Sequence, residues 1–425
     1  MGLGRTGGLP SLREVYRIGR GPSSSHTMAP ERAAHLMRQR HPACRKFRVT
    51  TYGSLAATGA GHMTDLAIAS AMRPADCEFV REPEQPTPHP VAFRIEPLDE
   101  CGNALENRWF FSLGGGALAD ENGLIREGPP VEYPMKDVAG VLAHCHRHRE
   151  PIWSIVSTTE PDVWDFLGEV WRTMASAVRR GLESDQTVLP GGLDVPRRAE
   201  SCFARAQTLA GAMREISLVA SYALAVAEEN AAGGIVVAAP TCGASGVVPA
   251  ILFHFASEGK ASDRQILHAL ATAGLFGASV IRNASVSGAE VGCQGEVGTA
   301  CAMAAAAAAQ ILGGSPAQIE YAAEMAMEHH LGLTCDPIEG LVQIPCIERN
   351  AVAAMRALDC ATFALLSDGR HIIPFDEVVN VMAQTGRDLQ SAYRETARGG
   401  LAEVWRKRVR RLISGDQTAH WGEAS

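Results

Sequence analysis

Lysine is almost absent from this chain: Lys46, Lys136, Lys260 and Lys407 are the only four in 425 residues. None sits in a run of small residues of the kind that presents a Schiff-base amine, which argues against pyridoxal phosphate as cofactor. No CxxC pair occurs either, so the usual spacings of zinc ribbons and thioredoxin-like sites are missing. The eleven cysteines lack the close, even spacing of a disulfide framework, and a reducing cytosol suits them better. At the N-terminus, MGLGRTGGLPSLREVYRIG has no apolar signal core, and its loose fit to a myristoylation pattern is of a kind that arises by chance. Apolar stretches near 231–256 and 298–312 are broken by Gly, Pro or polar residues and read as buried helices, not membrane spans. A net charge of −8 speaks against nucleic acid or an acidic membrane as the main partner.

What is present suits a cytoplasmic globular protein of two domains, with 46% hydrophobic and 20% charged residues. Short strand-like runs (KFRVTTYGSL, PVAFRIEPL, RWFFSLGGGAL) alternate with helical stretches near 29–40 and 61–72. The expected class is α+β: a small N-terminal α/β domain over 11–140, followed by a larger, mainly helical domain over 161–402. A polar, His-rich linker over 141–160 joins them, and a basic tail follows over 403–425. Within HCHRH the ligand candidates are too close together to converge on one ion, so a solvated helix end is the better reading. Gly114-Gly115-Gly116 lacks the Lys-Ser/Thr of a phosphate loop and reads as a plain turn. The run at 300–312 is apolar on every face and belongs at the centre of a bundle.

Three cysteines stand out by their surroundings. Cys293 lies in GAEVGCQGEVG, Cys335 in HHLGLTCDPIEGLVQ and Cys346 in QIPCIERN, at separations of 42 and 11 residues. Three thiolates on Gly- and Pro-flanked turns can hold a cubane iron–sulfur cluster by three corners and leave the fourth iron open as a Lewis acid. A second polar feature, GRGPSSSHTMAP, could clamp a carboxylate and offer His26 as acid or base. It could equally be a helix N-terminus capped by Ser25 or Thr27. YGSLAATGAGHMTD adds His62, with Asp65 nearby. Helix breaks at APTCGASGVVP and NASVSGAEVG carry Cys242, Asn283, Ser287 and Glu290, either facing a ligand or simply packing closely. Cys301 and Cys360 fall in Ala-rich helical runs and read as small buried hydrophobes.

These segments together resemble the iron–sulfur-dependent bacterial L-serine dehydratases (L-serine ammonia-lyases). Gly21-Pro22-Ser23-Ser24-Ser25-His26-Thr27 and Gly53-Ser54-Leu55 through His62 to Asp65 are similar to the β-part of that family. SGAEVGCQGEVG, AMEHHLGLTCDPIEGLVQIPCIERNA and TGRDLQSAYRETARGGLA are similar to its α-part, and the likeness runs from about residue 14 to 402. The resemblance implies a [4Fe-4S] cluster on Cys293, Cys335 and Cys346, and β-elimination of L-serine to pyruvate and ammonia. It implies His26 as base, with Ser23, Ser25 and Thr27 orienting the substrate and His62 handling protons. Ser24, Asn283 and Ser287 are further candidate substrate contacts. A homo-oligomer is expected. Two other readings stay open: L-cysteine desulfhydration on the same cluster, and a non-catalytic three-cysteine metal site.

The sequence departs from the family in two places. Some members end in a cysteine that caps the open iron, whereas this chain ends HWGEAS, so the expected resting iron carries water or hydroxide and turnover starts without a lag. Cys242 stands where many members have Asn.

Overall fold

The computed structural model describes residues 7–126 and 131–413; the myristoylation-like N-terminus and the HWGEAS end lie outside them. A mixed sheet with helices comes first and a larger helical unit follows, as the sequence led one to expect. Six strands lie in the order Asp76–Glu82, Lys46–Tyr52, Ala92–Leu98, Arg108–Ser112, Leu118–Asp120, Gly123–Ile125. Only the first pair is parallel, because the chain between those strands crosses back through helices Gly53–Thr58 and Thr64–Met72. The alternation of KFRVTTY turns Phe47 and Val49 inward, onto Ala29, Ala33 and Met37 of helix Ala29–Arg40 and Ile68 and Met72 of Thr64–Met72. The helical stretch expected at 61–72 starts later. Met63 takes a left-handed φ of 54°, so the turn that carries His62 separates two helices.

In the helical unit, Val163, Leu167, Val170, Met174 and Val178 make one buried stripe on helix Val163–Leu182, at the spacing of an amphipathic helix. Helix Thr299–Ile311 is the hub, buried on all sides through Ala309. Helices Val247–Ser257, Asp263–Asn283, Pro316–Glu328 and Cys346–Leu365 surround it. Its alanines allow close approach of those axes. The basic stretch after residue 400 is a surface helix, Gly400–Ile413.

The N-terminal segment ties the two units together. Leu9, Leu12, Val15 and Tyr16 are buried in the helical core. Ser11 Oγ, the Leu12 N–H and Tyr133 OH all donate to the Glu160 carboxylate. Strand Arg17–Arg20 then pairs antiparallel with Ile235–Ala238 of the helical unit. The Ser-rich loop begins at the next residue, so it leaves the junction already fixed by backbone hydrogen bonds.

Candidate active site

Each of the three thiols is set by a different irregular backbone. Cys293 follows Gly292 and precedes a π-type turn, Gln294–Gly298, that feeds the hub helix. Such turns widen a helix and recur where side chains must be re-aimed. Cys335 lies in extended chain, its N–H donating to Tyr393 O (2.8 Å) and its carbonyl accepting from Glu395 N (2.8 Å). Cys346 opens helix Cys346–Leu365, and Asn350 Nδ2 donates to its carbonyl and to Gly243 O, tying it to the break that holds Cys242. All three cysteines are buried.

Glu296 stands between two of them, its Oε2 at 3.7 Å from both Cys293 Sγ and Cys335 Sγ. The ligand atoms of Cys293, Glu296 and Cys335 lie within 4.8 Å of one another, a set that could hold a metal ion. Cys346 is the third thiol of this neighbourhood; burial raises its pKa, and the nearby Cys293 and Glu296 add to the effect. Arg349 is the local cation. Burial opposes its charge, but Cys293 and Cys346 beside it more than offset that and raise its pKa. Its Nη1 also donates to Thr334 O (2.6 Å). Three buried thiols, a carboxylate and one guanidinium make a site that is short of positive charge, as a thiolate-ligated metal centre requires.

The Ser-rich loop closes the other side. Ser23, rather than Ser25 or Thr27, is the cap: its Oγ accepts from His26 N (3.1 Å), since the turn Ser24–Met28 starts one residue after it. Ser25 Oγ bonds His26 Nδ1 (2.8 Å), and Ser54 Oγ bonds His26 Nε2 (3.0 Å). Thr27 Oγ1 donates to His62 O and Thr64 Oγ1 to His26 O, both at 2.6 Å, which locks the two histidine segments together. The His26 and His62 rings lie 4.5 Å apart. Burial first, then His62, pushes the His26 pKa well below its usual value, and burial lowers that of His62 to about 4. Both imidazoles are therefore neutral near pH 7 and able to accept a proton. Among the described residues neither ring nitrogen of His62 has a partner, although the residue is only 1% exposed.

Glu395 links the two sides. Its Oε1 lies 3.9 Å from His26 Nδ1 while its backbone N–H holds Cys335 O. Burial, then repulsion from Glu296, raises its pKa to about 8. Glu395 also has a left-handed φ of 55°, an uncommon conformation for a side chain of this size. Neither Glu296, Glu395 nor Arg349 stood out in the sequence, though all three fall inside the motifs that carry the resemblance.

The other candidates divide. Ser287 meets the glycine turn: all three of Gly114–Gly116 have positive φ, and a Cβ on Gly114 would touch Ser287 Cβ at 3.0 Å. That turn is thus a joint between the units. Ser24 is buried in the His26 turn. Asn283 Nδ2 instead holds Lys136 O (3.0 Å) and Ser279 Oγ (3.2 Å). Glu290 faces His89 at 3.9 Å. Cys242 Sγ packs on Met28 Sδ at 3.6 Å, joining the helix break to the Ser-rich loop.

Residues 50–402 match the family model described as serine dehydratase alpha chain, and residues 11–84 match that of the serine dehydratase beta chain. The chain belongs to the serine dehydratase family. It is 38% identical to an L-serine dehydratase of Haemophilus influenzae, over 92% of this chain and 98% of that protein. The same figures hold for L-serine dehydratase 1 of Escherichia coli K12. An L-serine dehydratase of Mycobacterium tuberculosis is 39% identical over 92% of this chain and 97% of its own length. Among the described residues no helix is long and apolar enough to cross a membrane.

Proposed function

We propose that this serine dehydratase converts L-serine to pyruvate and ammonia with a [4Fe-4S] cluster held by Cys293, Cys335 and Cys346. One observation carries the reading: three buried thiols with a guanidinium meet a pair of neutral buried histidines across a single acidic residue, Glu395. When bound, such a cluster supplies a Lewis-acidic iron that makes the substrate hydroxyl a better leaving group.

The protein's own part is proton handling and orientation. His26, neutral and held at both ring nitrogens by Ser25 and Ser54, takes the α-proton. Loss of that proton and of the β-hydroxyl gives aminoacrylate and water. Aminoacrylate tautomerises to the imine, and a second water hydrolyses it to pyruvate and ammonia. The hydroxyls of Ser23 and Ser25, 3.3 Å apart, and the Thr27–His62 bond keep the turn rigid around the substrate. His62, without a partner at either nitrogen, is the second proton acceptor. The reading includes action in the cytoplasm by a homo-oligomer.

Anaerobically purified protein is the test. It should be brown, hold about four irons per chain, and form pyruvate from L-serine without added pyridoxal phosphate. Cys293→Ala, Cys335→Ala and Cys346→Ala should each lose iron and turnover together, whereas Cys301→Ala and Cys360→Ala should keep both. Undiminished pyruvate formation after iron removal, or a colourless zinc protein, would overturn the proposal.

A further inference from the structure

L-Serine brings three polar groups into a buried space: a hydroxyl, a carboxylate and an ammonium. A buried ammonium needs an anionic partner, because desolvating it unpaired is prohibitive. The cation of the site, Arg349, is already engaged by Thr334 O, Asp336 and the thiols, and it could only repel a second positive charge. Two acids remain. Glu296 lies against two cysteine sulfurs and is aimed into the metal-competent group. Glu395 is 9% exposed, and among the described residues the only basic side chain in ion-pair reach is His26, which burial keeps neutral.

The backbone of Glu395 shows that its position is imposed. Its N–H is clamped to Cys335 O, its neighbour Arg394 bridges Cys335 in parallel register, and its φ is left-handed. Strain of this kind costs on the order of 1–3 kcal/mol and persists only where the surroundings enforce it. The result is a carboxylate whose backbone is tied to the main chain of Cys335 and whose Oε1 lies 3.9 Å from the His26 ring. Beside that ring, His62 leaves two buried nitrogens without a partner, a second sign that a polar ligand completes the site.

We infer that Glu395 is the residue that binds the α-ammonium of the substrate, so that it selects amino acids over hydroxy acids and presents the α-carbon to His26. This rests on the reading of the site as one that binds L-serine. An ammonium on Glu395 puts the adjoining Cα–H next to His26 while the hydroxyl, one carbon further, points towards the thiols. It also supplies the countercharge that Glu395 lacks, which favours the ionised carboxylate that burial and Glu296 otherwise disfavour.

The test compares L-serine with 3-hydroxypropanoate, which has the same hydroxyl and carboxylate but no amine. Anaerobic rapid mixing of iron-loaded protein with each ligand reads binding of both from the visible spectrum before product accumulates. Glu395→Gln should weaken L-serine by about 10- to 100-fold, the worth of a charge-assisted hydrogen bond. 3-Hydroxypropanoate should change by less than about 3-fold, within the scatter of a neutral contact. Iron content and the visible spectrum of the ligand-free protein should stay as in the wild type. Should Glu395→Gln fail to fold, Glu395→Asp carries the same comparison, with a smaller loss for L-serine alone. Equal losses for both ligands, unchanged L-serine affinity, or a wild type that does not prefer L-serine over 3-hydroxypropanoate would each overturn the inference. A wild type that shows this preference but forms no pyruvate would instead strike at the proposed reaction and leave the ammonium assignment standing.

Discussion

A methyl group at Gly288 should disable the site without unfolding the chain. A Cβ built there lies 2.6 Å from Glu296 Oε2 and 3.1 Å from Cys335 Sγ. Carbon and oxygen pack at well over 3 Å, so Glu296 would have to retreat by about 0.5 Å or more. Its retreat is hindered by two sulfurs that already lie 3.7 Å from Oε2. Gly288 starts a short helix at an ordinary φ, so the cost is contact and not torsion. Overpacking of this kind costs about 1–3 kcal/mol. Spent on site geometry, that is a loss of roughly 5- to 150-fold in kcat/KM. Anaerobic assays of Gly288→Ala should show such a loss together with reduced iron content, while Tm falls by no more than a few degrees. Gly168→Ala is the control, since its Cβ would meet only the flexible end of Arg172 at 3.4 Å. Wild-type turnover and full iron in Gly288→Ala would refute the reasoning.

Two further outcomes concern the histidines. His26→Ala should lower turnover by roughly 10²- to 10⁴-fold with the visible spectrum unchanged; wild-type exchange of the substrate α-proton in that variant would remove His26 as the base. His62 has a folded pKa of about 4 against an ordinary 6.5. Between those values the unfolded chain binds a proton that the folded one refuses, so the stabilisation is complete above about pH 6.5 and lost as pH falls towards 4. The upper limit is on the order of 3 kcal/mol. His26, also lowered, acts in the same direction. The raised carboxyl of Glu395 acts the opposite way, so the readout is the difference: between pH 7 and pH 5 the urea midpoint of the wild type should drop relative to that of His62→Gln, and identical slopes would rule out a buried neutral His62.

The three cysteines stood out because what sets them apart is their local sequence. Gly and Pro around Cys293, Cys335 and Cys346 announce irregular backbone, and irregular backbone around a cysteine is rarely mere packing. The hub helix was legible for the same reason: an unbroken Ala run has no polar face to turn outward. Glu296 and Glu395 were not, since carboxylates are common and what sets these two apart is burial. Burial depends on partners far along the chain. Glu395 owes its place to a bridge with Cys335, sixty residues earlier, and to a left-handed φ that RETARG does not announce. Three adjacent serines also hid which one caps the turn, because each has the same hydroxyl and only the backbone geometry chooses Ser23.

The least legible feature was the one that makes a single site out of two units. RIGR and IVVA are too short and too far apart for any pattern in the sequence to pair them. Yet their ladder fixes the start of the Ser-rich loop on the helical unit, at Gly21 N to Gly234 O. Asn230 then holds Pro22 O, and Cys242 packs on Met28, so the loop is gripped at both ends by the unit that carries the thiols. The distance between His26 and the cysteine site is thus set by direct backbone and side-chain contacts, not by the reach of a linker. That rigidity suits the proposed elimination, in which the group that removes the α-proton and the centre that draws off the hydroxyl would act on adjacent carbons.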